Sequence, residues 1–99
     1  MIDLEKIFAK YKDEFLKFDR VQTPKHPRRD ISAFILLHEL APPVDTIYDS
    51  IISSAEYHQI WFYVDINTVA KNAKEDQILT LIRCGVIFDT ENNEFSMYV

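Results

Sequence analysis

Glycine is the residue whose scarcity says most about this chain, because Gly85 is the only one among 99 residues. Loops that cradle phosphate groups need several glycines, since a backbone without Cβ atoms lets its N–H groups approach the ligand closely. The shortage excludes P-loop sites, dinucleotide-binding sites and the glycine loops of kinases. No other cofactor-binding motif is found in the sequence, and we predict that the chain binds no cofactor.

Cysteine and histidine are few, and the three scattered histidines have no metal-ligand spacing. Cys84 is the only thiol, so no internal disulfide can form, and a reducing compartment, the cytoplasm, is predicted. Its apolar neighbours favour a buried small hydrophobe over a nucleophile paired with histidine. His38 begins HEL, but Pro42 occupies the second histidine position of the HExxH zinc motif, so we expect a core-edge histidine. We predict no catalytic residue and no metal ligand; the alternative is an enzyme in which Cys84 or His38 lines a cleft.

Long apolar runs are also missing. The longest are Ala33–Leu37 and Ile60–Val64, far short of the roughly 18 residues that a membrane-spanning helix needs. Hydrophobic residues nevertheless make up 47% of the chain and aromatic residues 13%, which is enough for one core in a chain of this size. We expect a single domain over residues 1–99 with no membrane segment.

Positive charge is scarce in the C-terminal two thirds of the chain. Residues 31–99 contain ten acids and three lysines or arginines, a formal net charge of −7 within a total of −5. Nucleic-acid binding requires cations that displace counterions from phosphate, so this charge disfavours DNA and RNA as partners. The basic cluster Lys25, Arg28 and Arg29 is the candidate phosphate contact, and its alternative is packing against the acidic body of the same chain.

Helices dominate the predicted structure of the first half. Apolar residues at spacings of three and four predict an amphipathic helix over 3–18. Asp30 is predicted to cap a second, largely buried helix over 31–40. Asp45 is predicted to cap a third helix within 45–56, for which a strand is the alternative because β-branched residues are frequent there.

The second half alternates between helical and strand patterns. We predict a strand covered on both faces over 59–64, helices over 66–72 and 74–84, and hairpin strands over 86–89 and 94–99. Asp65 can cap the first of these helices, and Gly85 can end the second in a left-handed conformation. The fold class is therefore α+β, with N-terminal helices followed by a small antiparallel sheet.

The element order from residue 45 resembles the winged-helix fold, a helix-turn-helix followed by a β-hairpin wing. The segments that carry the resemblance are QIWFYV, DINTVAKNA, KEDQILTLIRCGVIF and TENNEFSMYV. It divides the chain into a helical extension over 1–44 and a winged-helix-like unit over 45–99. In DNA-binding members, the second of the two central helices enters the major groove. A winged-helix transcriptional regulator is therefore the alternative function.

The residues at the reading end and on the wing argue against that alternative. Glu75 and Asp76 stand where the helix would meet DNA, and Glu91 and Glu94 lie on the wing. Carboxylates at these positions repel phosphate. We therefore predict a non-enzymatic module that binds a protein partner.

Two features are the candidates for partner binding. The predicted interaction residues are the aromatic and acidic side chains Phe8, Tyr11, Phe15, Glu75, Asp76, Glu91 and Glu94. The alternative for the aromatic residues is that the first helix covers the sheet. The strand over 94–99 is predicted to offer an edge for pairing with a second copy of the chain, which would make a homodimer.

Overall fold

The computed structural model describes residues 1–42 and 51–99. Its helices and strands are α1 Leu4–Lys10, α2 Arg29–Leu40, β1 Ile52–Glu56, β2 Gln59–Phe62, α3 Ile66–Asn72, α4 Glu75–Cys84, β3 Val86–Asp89 and β4 Glu94–Tyr98. Two 3₁₀ turns, Lys12–Glu14 and Phe18–Arg20, follow α1. Across these two ranges, four helices accompany one four-stranded antiparallel sheet, which confirms the α+β class.

The first helix is shorter than predicted. Its start is confirmed, because the Asp3 carboxylate accepts a hydrogen bond from the N–H of Lys6 at 3.2 Å. It ends at Lys10 rather than at residue 18. Leu16 has a left-handed φ of 65°, and its N–H donates to the carbonyl of Ile82 in α4 at 3.2 Å. A main-chain bond to a distant helix therefore replaces the helical bond that the apolar periodicity predicted.

The start of α2 also differs from the prediction. The N-cap residue is Arg28, without a side-chain cap, so Asp30 is not the cap but lies in the first turn. The Asp30 carboxylate accepts hydrogen bonds from the N–H of Ile31 at 2.9 Å and from the Arg28 guanidinium at 3.0 Å. An acid in the first turn still interacts favourably with the helix dipole.

The helix predicted within 45–56 is wrong over its last five residues, where the chain forms the strand β1. Residues 43–50, which include the predicted cap Asp45, lie outside the described residues. The strand pairs with β2 through Ala55↔Ile60 and Glu56↔Gln59. A two-residue turn with a left-handed His58, φ 67°, closes this hairpin. Pairing with a neighbouring strand thus decided between the two alternatives that local sequence left open.

The strand order of the sheet is β1-β2-β4-β3. The strand β4 therefore lies between β2 and β3, and the prediction that the segment 94–99 forms a free edge is wrong. Both of its edges are occupied, as in the pairs Ile60↔Met97 and Val86↔Met97. Either strand of the C-terminal hairpin could have met β2, and local sequence does not distinguish the two arrangements.

Helices cover one face of this sheet. Phe8 of α1 lies 5.6 Å from Phe88 and 5.9 Å from Phe95 between ring centroids, and Phe34 of α2 makes an edge contact with Phe62 at 5.0 Å. The helix α4 packs against α1, α2, β3 and both 3₁₀ turns. Residues on both sides of the 43–50 segment therefore share one hydrophobic core.

Burial along β2 corrects the expectation that this strand is covered on both faces. Ile60 and Phe62 are buried, whereas Gln59 and Trp61 are half-buried. Alternate residues of a strand point to opposite faces, so the helices cover one face of β2 only. None of the helices in the described part of the chain is long and apolar enough to span a lipid bilayer.

The predictions for α3, α4 and the C-terminal hairpin are confirmed. Asp65 caps α3 by accepting a hydrogen bond from the N–H of Asn67 at 3.0 Å. Gly85 ends α4 with a left-handed φ of 102°. A Cβ atom at Gly85 would lie 2.6 Å from Leu16 Cδ2 and 2.9 Å from Arg29 Nη1, so this position requires glycine for its backbone conformation and for the close approach of two other segments.

We expect Gly85→Ala to lower the free energy of unfolding by about 1–3 kcal/mol, because it adds a left-handed alanine and a steric clash. Urea denaturation measures this change. Thr90→Ala, in the exposed turn between β3 and β4, is the control and should be nearly neutral. A Gly85→Ala protein as stable as the Thr90→Ala protein would contradict the requirement for glycine.

Candidate interaction surfaces

The predicted basic cluster forms its contacts inside the chain. Lys25 Nζ lies 3.1 Å from Glu39 Oε2, and Arg28 Nη2 lies 3.0 Å from Asp30 Oδ2. Lys25, Glu39 and Arg28 are exposed and Asp30 is half-buried, and ion pairs at the surface are weak. Contact with acids of the same chain is therefore the arrangement seen for these two residues, and phosphate contact stays a prediction.

Arg29 has a structural role that sequence reasoning missed. Its Nη1 donates to the carbonyl of Cys84 at 3.1 Å, and its Nη2 donates to the carbonyl of Tyr98 at 3.0 Å. The side chain thereby joins the start of α2 to the end of α4 and the end of β4. A cation at the C-terminus of a helix is favourable because it faces unpaired carbonyls. These acceptors are main-chain atoms 55 and 69 positions away, so no local pattern could reveal them.

The segment after α1 is fastened to the first residue of α4. Tyr11 donates its hydroxyl proton to Glu75 Oε2 at 2.7 Å, and Lys10 Nζ lies 3.2 Å from the same oxygen. The Tyr11 hydrogen bond, followed by that of Lys10, lowers the pKa of the Glu75 carboxyl. Glu75 is therefore engaged within the chain.

A second ion pair fastens the same segment to the last turn of α4. Glu14 accepts hydrogen bonds from Arg20 Nη1 at 2.8 and 2.9 Å and from Arg83 Nε at 3.4 Å. Desolvation opposes ionisation of Glu14, but the two guanidinium groups outweigh it and lower the pKa of this carboxyl. The segment over 10–20 thus follows α4 from Glu75 to Arg83.

This cover leaves little of α4 accessible. Glu75 and Asp76 are its exposed residues, and all others are half-buried or buried. Two cations that a DNA-binding surface could use lie at opposite ends of α4, because Lys74 is its N-cap residue and Arg29 binds the carbonyl of Cys84 at its other end. The ten residues of this helix put about 15 Å between these two ends.

The predicted interaction residues do not form one surface. Phe8 packs under the sheet, while Tyr11 and Phe15 are half-buried against the core. Asp76 is exposed at the start of α4. Glu91 is exposed in the turn between β3 and β4, and Glu94 is half-buried at the start of β4. The acids therefore fall into two groups on separate elements.

Neither residue considered for an enzyme lies in the groove that the described residues form beside α3. Cys84 is fully buried with 0% exposure, and burial raises the pKa of its thiol. His38 is exposed on α2 rather than at the edge of the core. A shallow groove of about 440 Å³ beside α3 contains neither residue in its lining. Across 1–42 and 51–99, no three His, Cys, Asp or Glu side chains are grouped so that they could hold a metal ion.

The outer face of the sheet, opposite the helices, is a surface that sequence reasoning did not identify. Its central residues are Trp61 and Ser96, which pair directly across β2 and β4. Gln59 donates from Nε2 to Ser96 Oγ at 3.3 Å, and Ser96 is 3% exposed beneath its neighbours. Tyr98 is 55% exposed. The sequence predicts a strand of bulky residues over 59–64, but strand pairing determines which of them occupy this face.

Comparison with protein-family models, with curated proteins and with solved structures finds no match for this chain. Function is therefore inferred from burial, charge and geometry.

We expect Tyr11→Phe to raise the pKa of Glu75 toward its ordinary value, because the substitution removes the hydroxyl donor. A carboxyl whose pKa is lowered by folding stabilises the fold above its ordinary pKa and loses this contribution as the pH falls through the lowered value. Tyr11→Phe should therefore weaken the loss of stability at acidic pH. NMR titration of the Glu75 carboxyl carbon measures the shift. Tyr57→Phe, at a side chain with 90% exposure, is the control; an identical Glu75 titration in Tyr11→Phe would rule out the hydroxyl as the cause.

We expect the Cys84 thiol to resist alkylation in the folded protein, because burial hinders access and keeps the thiol protonated. Iodoacetamide should react on the order of 10³-fold more slowly with the folded chain than with the chain in urea, since reaction requires transient unfolding. Mass spectrometry follows the modification. Equal rates in the two conditions would show that Cys84 is accessible.

Proposed function

We propose that this protein is a small non-enzymatic interaction or regulatory module that binds a protein partner through its acidic surface. The observation that carries the proposal is the charge of the sheet and its turns. Residues 51–64 and 86–99 contain no lysine or arginine and four acids, Glu56, Asp89, Glu91 and Glu94, a formal charge of −4.

The helical part of the chain balances its own charges. Residues 1–42 and 65–85 contain all eleven lysines and arginines and ten acids, a formal charge of +1. Several of these charges are paired with one another, as in Lys10–Glu75, Lys25–Glu39 and Arg20–Glu14. The helical part is therefore nearly neutral, whereas the sheet and its turns are strongly negative. A negative surface attracts a basic partner and repels phosphate.

The winged-helix likeness is part of the same proposal. It is supported by the succession β2, α3, α4, β3 and β4 and by the antiparallel pairing of β2 and β3 with β4. In this interpretation α4 is the helix that would read DNA, and its cover by the segment over 10–20 favours a protein-binding variant of the fold. Fold alone does not determine function. A winged-helix DNA-binding regulator is the alternative that experiment must exclude.

We also propose the cytoplasm as the site of action, which is supported by the single buried thiol of Cys84. A basic protein partner is favoured over a second copy of the chain, because two copies with a net charge of −5 each repel one another.

The proposal predicts binding of an arginine-rich peptide and no binding of duplex DNA. Fluorescence anisotropy of each labelled probe at low ionic strength measures both. Peptide binding should weaken as salt is added, because screening reduces attraction between exposed charges. A glutamate-rich peptide of the same length is the control.

Two outcomes would contradict the proposal. If neither the arginine-rich nor the control peptide binds, the acidic surface has no affinity for basic partners. If DNA binds and the substitutions Lys71→Glu and Lys74→Glu together abolish its binding, the protein is a nucleic-acid-binding regulator instead.

A further inference from the structure

We infer that the outer face of the sheet, centred on Trp61, is the binding site for an arginine-rich segment of the partner; this inference rests on the proposed function. Strand pairing defines the face. Ser54 and Ser96 lie directly beside Trp61 on its two sides. Ile87 lies beyond Ser96 on β3. These four residues form a row across the four strands.

Charged and aromatic residues stand diagonally around Trp61 on the same face. Glu56 follows Ser54 by two positions on β1, and Glu94 and Tyr98 lie two positions either side of Ser96 on β4. Diagonal neighbours in an antiparallel sheet are about 7–8 Å apart, within reach of long side chains. The indole of Trp61 therefore has a carboxylate on the strand to each side and a half-exposed tyrosine ring nearby.

This combination fits a guanidinium group better than other ligands. A guanidinium stacks on the face of tryptophan or tyrosine and at the same time donates paired hydrogen bonds to a carboxylate. Lysine offers a point charge without the planar stacking surface. Aromatic rings on a sheet also stack nucleic-acid bases, but such sites need a basic groove for the backbone, and none of the four strands contains a lysine or arginine.

The size of the face favours a short segment over a second copy of the chain. Four strands spaced about 4.8 Å apart give a width of about 15 Å, and four residues of β2 give a length of about 13 Å. Stable protein dimers bury about 800 Å² on each partner, which is several times the area of this face. An extended peptide that presents alternate arginines matches these dimensions.

Trp61 is the only tryptophan of the chain, so its fluorescence reports directly on the site. Binding of an arginine-rich peptide should change this emission, and a lysine-rich peptide of equal length should bind more weakly. For Trp61→Ala, followed by anisotropy of the labelled arginine-rich peptide, we expect about a tenfold loss of affinity, the magnitude of a cation–π contact. Circular dichroism establishes that the variant is folded.

A matched pair of charge variants separates the site from the rest of the acidic surface. Glu56→Gln combined with Glu94→Gln should weaken binding and reduce its salt dependence, since both carboxylates flank Trp61. These substitutions preserve side-chain shape, so the test stands even where Trp61→Ala does not fold. The control, Asp76→Asn combined with Glu91→Gln, removes two exposed acids outside the face. It should weaken binding clearly less than the Glu56 and Glu94 pair does, because only longer-range attraction is lost.

The outcomes distinguish the site from the function. If the control pair weakens binding and the Glu56 and Glu94 pair does not, the peptide binds elsewhere; the sheet-face assignment is then wrong while the proposed function stands. Unchanged tryptophan emission on saturation with peptide overturns the assignment in the same way. Absence of binding by any peptide overturns both.

Discussion

An antiparallel sheet has two faces, and the described helices of this chain cover one of them. Phe95 shows how that cover is built, because its fully buried ring lies against Phe8 of α1 and Phe88 of β3. Successive residues of a strand point to opposite faces, so the aromatic residues next to the buried positions point away from the helices. Trp61 and Tyr98 owe their accessibility to this one-sided packing, and so does the candidate binding face.

Charge follows the same division. The lysines and arginines all lie in the helical part. Several of them pair with acids, and Arg29 binds main-chain carbonyls at the ends of α4 and β4. The four strands contain acids but no lysine or arginine. The contacts of Tyr11 and Glu14 hold the segment over 10–20 along α4. This cover and the acidic sheet both favour a protein partner over DNA.

The elements after residue 58 could be predicted from sequence because local interactions specify them. Asp65 satisfies the first N–H groups of α3, and Gly85 adopts a conformation that other residues resist. The prediction of a long first helix was wrong, because the chain after Lys10 makes contacts with α4, such as the hydrogen bond between Leu16 and Ile82, that periodicity does not reveal. The helix predicted within 45–56 is wrong at β1, because β-branched residues fit either structure until a neighbouring strand is present.

The fold class, the burial of Cys84 and the acidic character of the C-terminal two thirds could be predicted, since composition, caps and periodicity act locally or as sums over the chain. No local pattern shows that β4 is an inner strand, that Arg29 binds carbonyls or that Glu56 and Glu94 flank Trp61. Each of these depends on which distant segments meet. Strand order and register are properties of pairing, and a one-residue shift in pairing would move every side chain of a strand to the opposite face.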